Sequence, residues 1–136
     1  MKVTVSRKAY FNAAHRLYIK QWSEQKNLNI FGKCSNPNFH GHNYEIIVHV
    51  KGKVDELTGM VIDLKYLKQI IKHEIEDLLD HKNLNLEIKY FKEVVPTAEN
   101  ICIFIWNTLR KKIDKNKHLS VTLFETPRNF VKYSGN

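Results

Sequence analysis

The stretch CSNPNFHGHNYEIIVHVKG, residues 34–52, joins a polar loop to a strand. From residue 42 to 52 apolar and polar residues alternate, which is typical of a strand with one buried face. The residues of that face are Tyr44, Ile46, Val48 and Val50. The loop before it places one of the two cysteines, Cys34, and two histidines within nine residues. The stretch therefore predicts a sheet and, at its edge, a group of side chains able to bind metal or move protons.

A second strand is predicted over residues 3–15, VTVSRKAYFNAAH, from the same alternation. Val3, Val5, Phe11, Ala13 and His15 share one parity, so this strand ends on a histidine that points the same way as its apolar residues. The charged residues from Arg7 onward interrupt the apolar pattern. They indicate a bulge or bend near residues 8–10.

The rest of the chain predicts two main helices and a second hairpin. Residues 18–41 indicate a long loop with a short helix near 22–28. Asp63 is a helix cap, and apolar residues at helical spacing follow it as far as Leu78. Pro96 and Thr97 open a helix over 98–112. The last strands are predicted at 118–125 and 129–133.

The predicted order is ββααββ, which we interpret as an α+β fold. It comprises an antiparallel four-stranded sheet with two helices on one face. The length of 136 residues suits a single domain, residues 1–136. No linker or repeat divides the chain.

Composition narrows the class of protein. Basic residues outnumber acidic ones by 22 to 14, which favours anionic partners such as nucleic acid or a phosphorylated small molecule. The basic residues form no stripe and accompany no stacking motif, so we expect no nucleic-acid partner. No apolar run is long enough to span a membrane. Cys34 and Cys102 are too few for a disulfide framework, so we expect a reduced, cytoplasmic protein.

His40 and His42 are two residues apart and therefore lie on one face of their strand. If the first two strands pair, His15 converges on the same point. Three histidines would leave a fourth zinc position open, as in catalytic sites. Alternatively, the His-x-His pattern is a coincidence at a strand edge, or Cys34 is a fourth ligand that closes a structural site. The remaining candidates, His49, His73 and His118, are expected on the surface.

Four further residues are candidates for catalysis or binding. Asp80 could orient His81, and His81 could take a proton from Cys34. The alternative is that Asp80 and His81 only form a turn at a helix end. Glu125 ends a strand on its apolar parity, where a carboxylate could accept two N–H groups of a heterocycle or simply face solvent. Thr97 is explained by helix capping.

Six motifs occur in order along the chain. They are FNAAHRLY, FGKCSNPNFHGHNYEI, TGMVIDLKYLK, LLDHKNLN, PTAENI and FETPRN. Together they resemble the 6-pyruvoyl-tetrahydropterin synthase family from about residue 9 to the end of the chain. The resemblance implies a tunnelling fold in which trimers close a barrel and two trimers stack into a hexamer, with active sites between subunits.

The resemblance also implies roles for residues of this chain. Zn²⁺ would be held by His15, His40 and His42. Cys34, Asp80 and His81 would be catalytic, and Glu125 and Thr97 would bind the pterin. The implied reaction converts 7,8-dihydroneopterin triphosphate to 6-pyruvoyl-tetrahydropterin and eliminates triphosphate.

Three positions depart from the family pattern, and two other functions stay open. Phe39 replaces a usual Gly, Asn12 a usual Ser and Ala98 a usual Thr. The related 6-carboxy-tetrahydropterin synthase of queuosine biosynthesis usually has a shorter Cys-x-x-x-His-Gly-His spacing, so the spacing from Cys34 to His40 favours the pyruvoyl enzyme. A non-catalytic pterin- or nucleic-acid-binding protein is the alternative from another class. The catalytic candidates argue against it.

Overall fold

The computed structural model describes all residues, 1–136. Its strands are β1 (Lys2–His15), β2 (His40–Lys53), β3 (Lys82–Asn83), β4 (His118–Phe124) and β5 (Phe130–Tyr133). Its α-helices are α1 (Glu24–Phe31), α2 (Leu64–Ile71), α3 (Asp77–Leu79), α4 (Leu84–Glu87) and α5 (Ala98–Arg110). Two short 3₁₀ segments cover Gly32–Ser35 and Lys89–Lys92, and one π-helical segment covers Lys72–Glu76.

Strands β1 and β2 form one long antiparallel pair with a constant register, from Lys2 opposite Lys53 to His15 opposite His40. The predicted strands are confirmed, but the predicted bulge near residues 8–10 is wrong. Arg7 pairs regularly with Val48, and its side chain is exposed. The core does not extend to Arg7, so its charged side chain reaches solvent from a regular strand and no bulge is required.

The sheet has five strands in the order β3-β1-β2-β4-β5. The α+β class is confirmed, and four of the strands are antiparallel neighbours as predicted. The correction is β3, which runs parallel to β1 and makes the sheet mixed. It has only two residues, Lys82 and Asn83, so it is too short to show any alternation in the sequence.

The hydrophobic core lies between one face of the sheet and the helices. The sheet contributes the odd-numbered residues of β1 from Ala9 onward, the odd-numbered residues of β4, and the even-numbered residues of β2 from Tyr44 onward. Helices α2 and α5 bury Leu67, Ile101 and Ile105 in the same cluster. The two main helices therefore cover one sheet face, as predicted. No helix combines the length and the apolar character needed to cross a membrane.

The helices differ from the prediction in two places. Helix α1 begins after Ser23, whose side chain accepts a hydrogen bond from the N–H of Lys26, and it extends beyond the predicted range. The second predicted helix continues to Leu79 through the π-helical segment. The wider π turn places Leu79 in the core and leaves Leu78 exposed, the reverse of the predicted spacing.

Candidate active site

Three histidines meet at the ends of β1 and β2. His15 and His40 are directly opposite each other in the antiparallel pair, and His42 is opposite Ala13 on the same face. One ring nitrogen from each histidine lies within 4.8 Å of the others. The ring centroids are 4.6 Å apart for His15 and His40 and 5.0 Å apart for the other two pairs. The convergence predicted from strand parity is present.

The surroundings of these rings suit a metal ion. His15 is only 1% exposed, and burial lowers its pKa to about 4, with the neighbouring histidines adding to the effect. Burial and His42 also lower the pKa of His40. The neutral imidazoles that result are the form that coordinates metal. The Nε2 atoms of all three rings are buried without a hydrogen-bond partner, which is unfavourable unless a ligand occupies the space between them.

A second layer of contacts orients the cluster. The Nδ1 atom of His15 lies 2.8 Å from the carbonyl oxygen of Pro96. Tyr44 lies beneath, with its ring centroid 5.5 Å from that of His42. Pro96 and Tyr44 were not among the predicted site residues. The parity of Tyr44 with His40 and His42 was the only signal for it, and Pro96 contributes a backbone atom that no side-chain pattern reveals.

Cys34 and Glu125 both lie close enough to Tyr44 to affect its pKa. Burial raises the pKa of Tyr44, and the nearby charges of Glu125 and Cys34 raise it further. Cys34 is half-buried in the 3₁₀ segment Gly32–Ser35, and its carbonyl oxygen accepts the N–H of Leu17 at 2.8 Å. The group that could hold a metal ion contains only the three histidines and not Cys34.

Glu125 approaches the histidine cluster directly. Its Oε2 atom is 3.9 Å from Nε2 of His15, and its side chain is 25% exposed. Since the lowered pKa leaves His15 neutral near pH 7, this contact is not an ion pair. Glu125 follows β4 at the position opposite Tyr44, which continues the register of the two strands. A carboxylate in this place is available to accept hydrogen bonds from a ligand beside the metal.

Asp80 and His81 form a pair at the end of α3. The Nδ1 atom of His81 lies 3.0 Å from Oδ2 of Asp80, and the other carboxylate oxygen accepts the backbone N–H of Asn12 at 2.8 Å. The Asn12 hydrogen bond and His81 hold the pKa of Asp80 below its usual value. His81 has a positive φ of 60° and donates its backbone N–H to Asn12. This link fixes the pair to β1.

The Asp80–His81 pair is not joined to Cys34 within one chain. The His81 side chain is 80% exposed and lines an open depression that His42 also borders, whereas Cys34 is not part of that wall. No hydrogen bond connects Cys34 with His81 or Asp80. Two of the three predicted catalytic residues are thus together, and the third lies apart from them beside Tyr44.

Thr97 and Phe39 occupy special backbone positions. Thr97 caps α5, and its hydroxyl oxygen accepts the N–H of Asn100 at 3.1 Å. Phe39 has a φ of 66°, a left-handed conformation that glycine adopts more easily, directly before His40. Of the other histidines, His73 and His118 are exposed as predicted. The surface position predicted for His49 is wrong, because His49 is half-buried, with Nδ1 2.8 Å from the hydroxyl oxygen of Ser6 and Nε2 3.3 Å from that of Thr122.

A group of three histidines at the edge of an α+β sheet, with a carboxylate beside it, is an arrangement that suits a catalytic metal site. Comparison with known proteins gives the family. The family model described as 6-pyruvoyl tetrahydropterin synthase matches residues 4–136. The chain therefore belongs to the 6-pyruvoyl tetrahydropterin synthase family.

Individual relatives agree with this assignment. The 6-pyruvoyl tetrahydrobiopterin synthases of Pongo abelii and Homo sapiens are 48% and 47% identical over 131 residues, which are 96% of this chain and 90% of each relative. The solved structure of Caenorhabditis elegans 6-pyruvoyl tetrahydropterin synthase superposes with a TM-score of 0.94 at 39% identity. That comparison covers 100% of this chain and 97% of the other.

Proposed function

We propose that this protein converts 7,8-dihydroneopterin triphosphate to 6-pyruvoyl-tetrahydropterin and releases inorganic triphosphate. The observation that carries the proposal is the three-histidine cluster whose inward nitrogens have no protein partner. Relatives that share nearly half of their residues with this chain over almost its whole length are named for this activity.

We propose Zn²⁺ as the metal, held by His15, His40 and His42. Three imidazole nitrogens with an open fourth position fit zinc in its catalytic form. Bound there, zinc supplies Lewis acidity that makes hydroxyl protons of the substrate side chain easier to remove. The contact of His15 Nδ1 with Pro96 favours the tautomer with its proton on Nδ1, which leaves Nε2 free to bind the metal.

Cys34 is proposed to transfer protons at the substrate side chain. It is near enough to Tyr44 to affect the pKa of that residue, and it does not belong to the histidine group, so its thiol is free to act. His81 would exchange protons with the thiol, and Asp80 would hold the His81 ring in position.

Because Cys34 and His81 do not meet within one chain, we propose that the complete site forms between copies of this chain in a homo-oligomer. A hexamer built from two trimers is the form that the family resemblance implies. Sedimentation at micromolar concentration measures this directly. A stable monomer with full activity would contradict both the assembly and the shared site.

Glu125 is proposed to bind the pterin ring through its two carboxylate oxygens. A pterin presents an amino group and a ring N–H side by side, and a carboxylate matches both donors. Thr97 is proposed to assist. Its oxygen accepts the capping hydrogen bond, which leaves its O–H free to donate to the ligand.

We also infer that the chain works as one domain in a reducing, cytoplasmic environment. A single cluster of 24 buried apolar residues connects the sheet and the helices. Both cysteines are free thiols. These features support the inference because one continuous core is typical of one domain, and free thiols persist in reducing compartments.

The decisive test is product identification after incubation of the purified protein with 7,8-dihydroneopterin triphosphate. We expect a tetrahydropterin with a 6-pyruvoyl side chain and an equal amount of inorganic triphosphate. A 6-carboxy product would assign the related queuosine enzyme instead. An unchanged substrate, together with nucleic-acid binding that weakens steeply with salt, would favour the non-catalytic alternative.

A further inference from the structure

A cleft lies beside the two chain segments that carry His15 and Cys34, and none of its lining residues has a role in the proposed chemistry. It has a volume of about 660 Å³ and is bordered by the residues after β1, by α1 and by the 3₁₀ segment Gly32–Ser35. Arg16 and Lys33 are its two cationic residues, and Glu24, in the first turn of α1, is its one carboxylate. The wall therefore carries more positive than negative charge.

The backbone of Arg16 is held in place by the side chain of Asn85. Its N–H donates to the side-chain oxygen of Asn85 at 2.8 Å, and its carbonyl oxygen accepts the side-chain amide of Asn85 at 2.9 Å. One asparagine thus binds both backbone polar groups of Arg16. These two hydrogen bonds hold the backbone of Arg16 in place independently of its side chain.

The guanidinium of Arg16 is also oriented. Its Nε–H donates to the carbonyl oxygen of Ser35 at 2.7 Å, and its central carbon lies 3.7 Å from the ring centroid of Tyr18. Stacking on the aromatic ring and a hydrogen bond at Nε together fix the plane of the group. No carboxylate of the chain pairs with it, and its two terminal nitrogens make no hydrogen bond within the chain. Those donors are the ones that bind phosphate in a bidentate manner.

Both cations lie next to residues of the proposed reaction in the sequence. Arg16 directly follows His15, and Lys33 directly precedes Cys34, so in each case the two Cα atoms are about 3.8 Å apart. The N–H of Leu17 donates to the carbonyl oxygen of Cys34, which holds the two segments against each other. The segments that carry His15 and Cys34 therefore both border this cleft.

We propose that Arg16 and Lys33 form the subsite for the polyphosphate group of the substrate, with Arg16 as the oriented anchor. The inference rests on the proposed function, because it identifies the group that this site releases. The free donors of Arg16 would bind phosphate oxygens, and Lys33 would add a second positive charge. Both contacts would stabilise the triphosphate as it leaves, because negative charge then develops on it.

The test measures two ligands separately by calorimetry on the zinc-loaded protein. Inorganic triphosphate, added with magnesium so that it does not remove zinc, reports on the cleft. Biopterin, which has no phosphate, reports on the pterin site. We expect Arg16→Gln and Lys33→Gln each to weaken triphosphate binding by about 10- to 100-fold, with biopterin affinity changed less than about twofold. Arg16→Lys keeps the charge without the planar fork and should lose less.

The matched control is Lys111→Gln, which removes an exposed positive charge just beyond α5 and should leave both affinities unchanged. If Arg16→Gln does not fold, Lys33→Gln and Arg16→Lys carry the test. Unchanged triphosphate affinity in these variants would overturn the inference. An equal loss of affinity for both ligands would also overturn it. That result would show that Arg16 acts only by holding Ser35 in place.

Failure of the inference and failure of the proposed function give different results. If the wild-type protein binds inorganic triphosphate through Arg16 but does not convert the pterin substrate, the proposed function fails and the polyphosphate subsite stands. If Arg16→Gln and Lys33→Gln convert the substrate with unchanged kcat and KM, the function stands and the subsite is wrong.

Discussion

The Nδ1 atom of His15 lies 2.8 Å from the carbonyl oxygen of Pro96. A carbonyl oxygen only accepts hydrogen bonds, so Nδ1 carries the proton and Nε2 keeps its lone pair for a metal. This contact joins the end of β1 to the residue before the cap of α5. The loop that leads into α5 thus fixes the tautomer of His15 that suits metal binding.

Metal binding should depend on the histidines of β2. The double variant His40→Ala, His42→Ala leaves one imidazole, so we expect zinc content to fall from about one ion per chain to near zero in protein purified without added metal. Elemental analysis of the purified protein gives the result. His73→Ala is the matched control, because His73 is exposed and outside the cluster. Full zinc retention in the double variant would show that the metal lies elsewhere.

The metal-free protein should lose stability in mild acid. Burial lowers the pKa of His15 to about 4, against an ordinary value of 6.5, so the unfolded chain takes up the proton first as the pH falls. The stabilisation is complete above pH 6.5 and is lost as the pH falls towards 4. We expect about 3 kcal/mol of the free energy of unfolding to disappear over that range.

Urea unfolding of the chelated protein at a series of pH values measures this loss. A His15→Gln variant removes the titrating group and should show a shallower dependence than the wild type. Identical pH profiles for the two proteins would mean that His15 titrates normally in the folded state.

Replacing the proposed proton-transfer group should stop the reaction without disturbing the metal. We expect Cys34→Ala to reduce formation of the pyruvoyl product by at least about 100-fold, because an alanine cannot exchange a proton. Zinc content and pterin binding should not change. Cys102→Ala is the control. Its thiol is buried and donates to the carbonyl of Val121, so that variant should lose stability but keep its activity per folded molecule. Loss of zinc from Cys34→Ala would make the thiol a ligand.

Binding of the pterin ring should depend on the charge of Glu125. Glu125→Gln keeps the shape but replaces one acceptor oxygen with a donor, so we expect binding of biopterin or sepiapterin to weaken by about tenfold to several-hundredfold. Fluorescence titration of both proteins, with zinc content checked in parallel, gives the comparison. Glu56→Gln, an exposed carboxylate in the β2–α2 loop, should not change the affinity. Equal affinities for Glu125→Gln and the wild type would leave the ring without an identified anchor.

The turn before His40 should tolerate glycine and reject a β-branched residue at position 39. Phe39 has a φ of 66°, which valine adopts only with strain of about 1–2 kcal/mol. We expect Phe39→Val to lower both stability and zinc occupancy, because the shifted turn moves His40. Phe39→Gly should retain full zinc. Chemical unfolding and elemental analysis of the two variants measure the effect, and full zinc in Phe39→Val would show that the turn does not position the ligand.

Periodicity made the main features of this fold and site predictable from the sequence. The alternation in β2 placed His40 and His42 on the buried face, and the parity of β1 brought His15 to meet them. The same reasoning placed Glu125 on the apolar face of its strand. These inferences succeeded because a strand has only two faces, so one buried residue fixes the direction of its neighbours.

Features that depend on single backbone contacts were not predictable. β3 exists because the N–H of His81 bonds to Asn12, and the two-residue strand leaves no pattern. The π-helical segment moved Leu78 out of the core without any Pro or Gly to mark it. The absence of a hydrogen bond between Cys34 and His81 within one chain depends on tertiary structure, and the spacing between the residues in the sequence carries no information about it.

The most direct test of the account is a zinc titration of the metal-free protein, followed by the rate of 6-pyruvoyl-tetrahydropterin formation. We predict that the rate rises in proportion to added zinc and stops rising at one ion per chain. The His40→Ala, His42→Ala variant should stay inactive at every zinc concentration. Full activity of the metal-free protein, or zinc-dependent activity restored in that variant, would contradict the assignment of the three histidines as the catalytic metal centre.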